Sequence, residues 1–230
     1  MERLDKFLSA AGVASRKELK GLIRAGKVIV DGTVIRAPDT KINETARVTV
    51  SGAEVEPYRT AVVMLHKPQG YVTAAEDPKE QTVMELLPRK YRLWNVMPIG
   101  RLDKQTEGLL LFTNDGELAH RLISPKQEVE KVYYARHEGI AAATDVQAFS
   151  DGITLQDGTV CRPARLEILA PGECLVTVTE GKYHQVRRML ASRSLPVSYL
   201  KRLKEGGLSL GELPLGDCRE LTQAEIDTLL

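Results

Sequence analysis

The side chains able to do chemistry in this 230-residue sequence are scattered, and no short motif gathers them. There is no HExxH, Walker loop, GxGxxG or GxSxG string. His66, His120, His137 and His184 stand far apart, so neither a metal site nor a catalytic triad has local support. Cys161, Cys174 and Cys218 are odd in number and widely spaced, which speaks against a disulfide framework or structural zinc and for incidental thiols in a reducing compartment. The expectation is chemistry with no metal and no bound cofactor. Three segments are richer than a structural role needs. The first runs Gly100-Arg101-Leu102-Asp103, then Gln105-Thr-Glu-Gly108, into the apolar run LLLFT. The second is Lys131-Val-Tyr133, where strand alternation puts the Lys and the Tyr on one face. The third is Glu180-Gly-Lys-Tyr-His-Gln-Val-Arg187-Arg-Met189. Taken singly each is ordinary: the Asp suits a turn, the Tyr a core, and Arg187-Arg188 a solvated helix face.

These residues must be held by elements that the sequence patterns announce. From Ala61 onward the β-rich runs AVVMLH, LLLFT, KVYYAR, ARLEIL, ECLVTVT and VSYLKRL alternate with turns. Helices are expected over Glu117–Ile123, Ala142–Phe149, Tyr183–Ser192 and a tail that opens on the capping box Thr222-Gln-Ala-Glu225. The fold class is α+β: a small N-terminal helix pair with a hairpin, then a larger mixed or antiparallel sheet with flanking helices and a central cleft. We expect a first domain over residues 1–50, a linker over 51–60 (SGAEVEPYRT, aperiodic and bearing Gly and Pro), and a second domain over 61–230.

The leading segment reads as two helices and a hairpin. Leu4, Phe7, Leu8 and Ala11 keep helical spacing and Gly12 suits a left-handed stop. Ser15-Arg-Lys-Glu18 is a capping box for a second helix that Gly26 ends. On it Leu19, Leu22 and Ile23 form an apolar arc, while Arg16, Lys17, Lys20 and Arg24 lie on a separate one. Val28–Val30, Asp31-Gly32 and Thr33–Ile35 form a hairpin signal, and Arg47–Val50 adds a strand. The net charge of +1 hides an asymmetry. Residues 1–47 carry 10 Lys and Arg against 6 Asp and Glu, a net +4, while the remainder carries 22 against 25, a net −3. An anionic partner would meet the basic segment first. The chain opens without an apolar leader and has no run long enough to cross a membrane, so a cytosolic protein is expected.

The string RLDKFLSAAGVASRKELKGLIRAGKVIVDG resembles the small RNA-binding domain named after a small-subunit ribosomal protein, in which a helix pair and hairpin grip structured RNA. The three chemistry-bearing segments, in their order behind that domain, resemble the pseudouridine synthases, specifically the branch that modifies small-subunit ribosomal RNA. A fourth match, Leu65-His-Lys-Pro-Gln-Gly-Tyr-Val72, carries His66 where the family usually has Asn. The likeness extends through the closing stretch Leu213–Arg219.

The resemblance implies roles. Asp103 is the nucleophile, Tyr133 stacks on the target base, and Arg187 pairs with Asp103 to keep it ionised. Arg101 and Lys131 bind substrate, and Arg16, Lys17, Lys20 and Arg24 meet RNA phosphates. His184 is expected to order the backbone, and Glu107 to be structural rather than a second catalytic carboxylate. The implied reaction isomerises a uridine in 16S ribosomal RNA, met free or within an assembling small subunit, by a monomer with no membrane partner. Alternatives are a site in 23S ribosomal RNA, a non-catalytic RNA-binding assembly protein, and a sugar hydrolase that lacks its second carboxylate.

Overall fold

The computed structural model describes residues 1–43 and 45–229, and the chain divides into two compact units. The first comprises Met1–Thr60 together with Pro88–Val96; the second comprises Ala61–Leu87 and Met97–Leu230. The segment Pro88–Val96, which the sequence places inside the second domain, therefore folds with the first unit.

In the first unit, β1 (Glu2–Arg3) leads into α1 (Leu4–Ala10) and α2 (Arg16–Arg24). Gly12, at φ +72°, takes the left-handed conformation that ends α1. The Ser15–Glu18 capping box forms as expected, the Ser15 amide donating to Glu18 Oε2 at 3.0 Å. Strands β2 (Val28–Val30) and β3 (Thr33–Ile35) close over Asp31 and Gly32, both at positive φ, the geometry of the tight hairpin that Asp-Gly favours. After β4 (Lys41–Ile42), which pairs with β1, come β5 (Val48–Val50) and β6 (Ala53–Glu54), giving an antiparallel sheet ordered β3-β2-β5-β6. Strand β6 lies in the stretch read as a linker. Two exposed residues have no apolar alternation to betray a strand. Leu4, Leu8, Leu19, Ile23 and Val28 are fully buried and weld helices to sheet. Burying each such side chain contributes about 1.5–3 kcal/mol. Pro88–Val96 adds the short helix α3 (Arg89–Leu93) and the buried Trp94.

The second unit is built on a nine-stranded sheet among the described residues. Its strands are β7 (Val62–Lys67), β8 (Met97–Ile99), β9 (Glu107–Thr113), β10 (Lys131–His137), β11 (Arg165–Ala170), β12 (Glu173–Val178), β13 (Val197–Glu205), β14 (Leu208–Ser209) and β15 (Cys218–Glu220). The path runs β11-β12-β10-β13-β9-β7-β15, with β14 on β13 and β8 on β9. Every pairing is antiparallel except β9 with β13, so the sheet is mixed, as the α+β reading anticipated. The helices are α4 (Gly116–Ile123), α5 (Ala143–Asp151), α6 (Gln185–Ser192) and α7 (Gln223–Asp227), with one 3-10 turn at Val83–Leu86. Met64, Leu109, Leu111, Leu122 and Leu229 centre a core of the sheet and its covering helices. No helix of the described residues is long and apolar enough to cross a membrane.

Candidate active site

Asp103 sits on the loop between β8 and β9, with its side chain about one-third exposed. That loop is pinned along its length. Leu102 exchanges hydrogen bonds with the buried Thr73 hydroxyl, its amide donating at 3.2 Å and its carbonyl accepting at 2.8 Å. The Thr106 amide donates to the Asp103 carbonyl at 2.9 Å, and the Gly70 amide to the Lys104 carbonyl at 2.9 Å. Beneath lies Lys67, the last residue of β7 and completely buried. Its ammonium donates among the carbonyls of Pro68, Asp103, Lys104 and Thr106, at 3.0, 3.2, 3.4 and 3.0 Å. A cation surrounded by the backbone of the Asp103 loop fixes the loop's shape while leaving the carboxylate free. Sequence reasoning quoted Lys67 within a motif and assigned it no role; the signal available was a Lys closing a strand with an otherwise apolar pattern.

Burial lowers the Lys67 ammonium to about 8, although the charges of Asp103 and Glu107 work in the opposite direction. Below about pH 8 the group is charged and holds the loop; above it the hold weakens. Stability runs the other way. Between that value and the ordinary 10.5 the unfolded chain carries a proton the folded chain lacks, so this group's contribution to stability rises with pH. We expect an alkaline limb in the kcat profile near pH 8. In Lys67→Met the limb is absent and kcat is lower by about a hundredfold, of the order that misplacing a catalytic group costs. A profile unchanged in shape and height sinks this assignment.

The expected pairing of Arg187 with Asp103 is not formed. Arg187, on α6, donates from Nη2 to the Gln105 carbonyl at 2.8 Å and from Nη1 to the Val197 carbonyl at 3.4 Å. The guanidinium fork is occupied by these two carbonyls, and it ties the Asp103 loop to α6 and β13. Its charge still acts on Asp103 at longer range; burial lowers the guanidinium's value and Asp103 raises it. Among the described residues, the nitrogen-bearing side chain within reach of the Asp103 carboxylate is His184, whose Nε2 lies 3.5 Å from Oδ1. His184 precedes α6 at φ +48°, and its ring stacks on Tyr183 with centroids 3.9 Å apart. The left-handed backbone that orders this helix start also turns the imidazole toward the carboxylate.

Tyr133, on β10, is buried among Val176 of β12 and Arg202 of β13, its cross-strand neighbours. Burial pushes its phenol up; the Arg202 guanidinium beside the hydroxyl opposes that. Arg202 escaped the sequence reading. It is only 2% exposed, donates from Nε to the Leu109 carbonyl at 2.7 Å, and is ion-paired with Glu205 at 3.2 Å. An Arg at an inward position of VSYLKRL was the available signal. Lys131 shares the Tyr133 face, as alternation requires. Its ammonium donates to the Val129 carbonyl at 2.9 Å and lies 3.9 Å from Glu205; burial lowers it and Glu205 raises it. Arg101 is exposed.

Glu107 anchors a separate cluster. It accepts from the Tyr199 hydroxyl at 2.8 Å and lies 3.2 Å from His66 Nε2 and 3.3 Å from Lys201 Nζ. Burial acts to raise its carboxyl, but these three partners together hold it below the usual range. His66 Nδ1 meets the Leu213 carbonyl at 2.7 Å, so this residue, which departs from the usual Asn, bridges β9 to the closing stretch. On α2 in the first unit, Arg16, Lys17, Lys20 and Arg24 are all exposed, opposite the buried Leu19 and Ile23.

Residues 61–192 match the model of the RNA pseudouridylate synthase family, and residues 2–48 match the S4 domain. The chain belongs to the RNA pseudouridylate synthase family. It is similar to the ribosomal small subunit pseudouridine synthase A of Vibrio cholerae, at 38% identity over 99% of both chains. It is equally similar to the ribosomal large subunit pseudouridine synthase B of Bacillus subtilis, at 38% identity over 100% of this chain and 96% of that one. A crystal structure described as a pseudouridylate synthase superimposes with a TM-score of 0.71 at 32% identity, covering 100% of each chain. The synthase thus carries an S4 RNA-binding module ahead of its catalytic fold.

Proposed function

We propose that this synthase isomerises one uridine of 16S ribosomal RNA to pseudouridine, with Asp103 as nucleophile. The observation that carries the assignment is a carboxylate left one-third exposed on a loop whose backbone is clamped by the Lys67 and Arg187 cations. The target nucleotide flips out of its stack, at a cost of a few kcal/mol. Tyr133 offers the base an aromatic surface, and stacking of this kind contributes about 1–3 kcal/mol. Asp103 attacks either the anomeric carbon or the uracil ring, and the bond from ribose to ring nitrogen breaks. The base turns while held, ribose joins the ring carbon, and the bond from Asp103 to the substrate breaks to restore the free carboxylate. The proton leaving that carbon is balanced by one taken up at the freed nitrogen, so no redox partner is needed. Arg187 keeps positive charge near Asp103, His184 lies beside its carboxylate, and Arg101 holds a flanking phosphate.

Likeness to the Bacillus subtilis large-subunit enzyme supports a second reading, a uridine in 23S ribosomal RNA. Mapping pseudouridine in both RNAs from cells lacking the gene decides between them: one site should disappear, in 16S on the first reading and in 23S on the second. If no site in either is lost, both fail. We further propose a monomer working in the cytoplasm, on free RNA or on an assembling subunit.

The first unit supplies affinity. Replacing Arg16, Lys17, Lys20 and Arg24 together by Ala should flatten the dependence of log K on log salt by about 3, since each phosphate contact contributes just under 1. Rate at saturating RNA should not change. Filter binding at several salt concentrations measures this, and an unaltered slope excludes α2 from phosphate contact.

A further inference from the structure

Pro88–Val96 is embedded in the catalytic sequence yet completes the RNA-binding unit. Lys90 pairs with Glu56 at 3.2 Å, and Arg59 lies 5.4 Å from the centre of the buried Trp94 ring. Leu93 approaches the α1–α2 turn so closely that a Cβ on Gly12 would meet its Cβ at 2.7 Å. The segment also changes the electrostatics. Residues 1–60 carry 11 Lys and Arg against 8 Asp and Glu, a net +3; Arg89, Lys90 and Arg92 come with no acid and raise the unit to +6. The second unit, with 18 against 23, stands at −5.

Between this segment and the α1–α2 turn runs a groove of about 700 Å³, within the range of small-ligand sites. Ser9 and Gly12 line one side, Leu93 and the exposed Arg92 and Asn95 the other, with Tyr58 at 47% exposure. Among the described residues, the side chains of Tyr58, Arg92 and Asn95 have no hydrogen-bond or ion-pair partner within the chain. A phenol ring, an amide carrying both donor and acceptor, and a guanidinium thus converge on open space in the most basic part of the molecule.

We infer that this groove takes an unpaired nucleotide of the substrate RNA, its base against Tyr58 and Leu93, its edge read by Asn95 and its phosphate held by Arg92. This rests on the RNA-modifying reading and adds to it a recognition site whose base- and phosphate-reading side chains lie outside the S4 match. Aromatic stacking with amide and guanidinium contacts is how single-stranded RNA is recognised. A protein partner finds less support, because the net +6 and the unpaired Arg92 favour a polyanion.

The test uses the full-length protein with 16S and 23S transcripts. Tyr58→Ala, Arg92→Ala and Asn95→Ala should each weaken RNA affinity by fluorescence anisotropy and raise KM about tenfold, with kcat at saturating RNA unchanged. Tyr58→Phe, which keeps the ring, should bind as the parent does. Transcripts carrying 4-thiouridine should photocrosslink to Tyr58 or to residues 88–96. Crosslinks mapping only elsewhere, with all three Ala variants at parental affinity, overturn the inference. If that happens while the parent protein forms pseudouridine, the groove fails and the synthase reading stands. If the parent forms none, the synthase reading fails, and affinity and crosslinks still decide the groove.

Discussion

Asp103→Asn should abolish turnover while leaving RNA binding intact. The substitution keeps size and hydrogen-bonding capacity, so the loop held by Lys67, Thr73 and Gly70 has no reason to move. What it removes is the anionic oxygen. An amide is a poor nucleophile, and loss of a nucleophile from an assembled site costs at least about a thousandfold in kcat. The measurement is single-turnover pseudouridine formation on ribosomal RNA, with affinity determined in parallel. Turnover within about tenfold of the parent would exclude Asp103 as nucleophile, because so small a loss, near 1.4 kcal/mol, is the size of a lost hydrogen bond. Weakened binding with normal chemistry would instead mark it as an RNA contact.

Gly108→Ala should strongly destabilise the catalytic sheet. Gly108 lies at φ +114° where β9 meets β13 in parallel, opposite Arg202. A Cβ there would lie 2.2 Å from the Arg202 carbonyl oxygen and 2.6 Å from its amide nitrogen. Both are backbone atoms, so no rotamer relieves the overlap, and β13 cannot retreat without losing its pairing with β10. The combination of clash and forbidden φ should cost about 4 kcal/mol. In a chain of this size the melting temperature should then fall by about 10 °C. Activity should fall with it, because Tyr133 faces Arg202 and the Asp103 loop feeds directly into β9. Gly116 is the control: it opens α4, and a Cβ added to it would meet nothing within 4 Å, so Gly116→Ala should melt as the parent does. Equal melting temperatures for both variants would contradict the close approach of β9 and β13.

The local parts of this protein were legible in its sequence. Ser15–Glu18 and Thr222–Glu225 cap helices because each box is satisfied within four residues. Asp31-Gly32 closes a hairpin because both residues accept positive φ, and KVYYAR sets Lys131 and Tyr133 on one face through the pleat alone. The order of the chemistry-bearing segments was enough to point to the family. Strand β6 and helix α3 were missed because neither is long enough to show a period, and Pro88–Val96 was assigned by its neighbours in sequence although its contacts lie with the S4 unit.

Tertiary structure decided who partners Asp103. Arg187 turns to the Gln105 and Val197 carbonyls, His184 faces Asp103, Lys67 holds the loop from below, and Arg202 joins Tyr133. Apart from the Arg187–Val197 contact, these partnerships join residues tens of positions apart and depend on strand register and on where the loops between strands lie. The sequence by itself determined that a carboxylate, a phenol and a set of cations would be present. Which cation meets which acceptor was settled only by the fold, because a charge taken out of water needs hydrogen-bond acceptors and only the assembled strands and loops bring them within its reach.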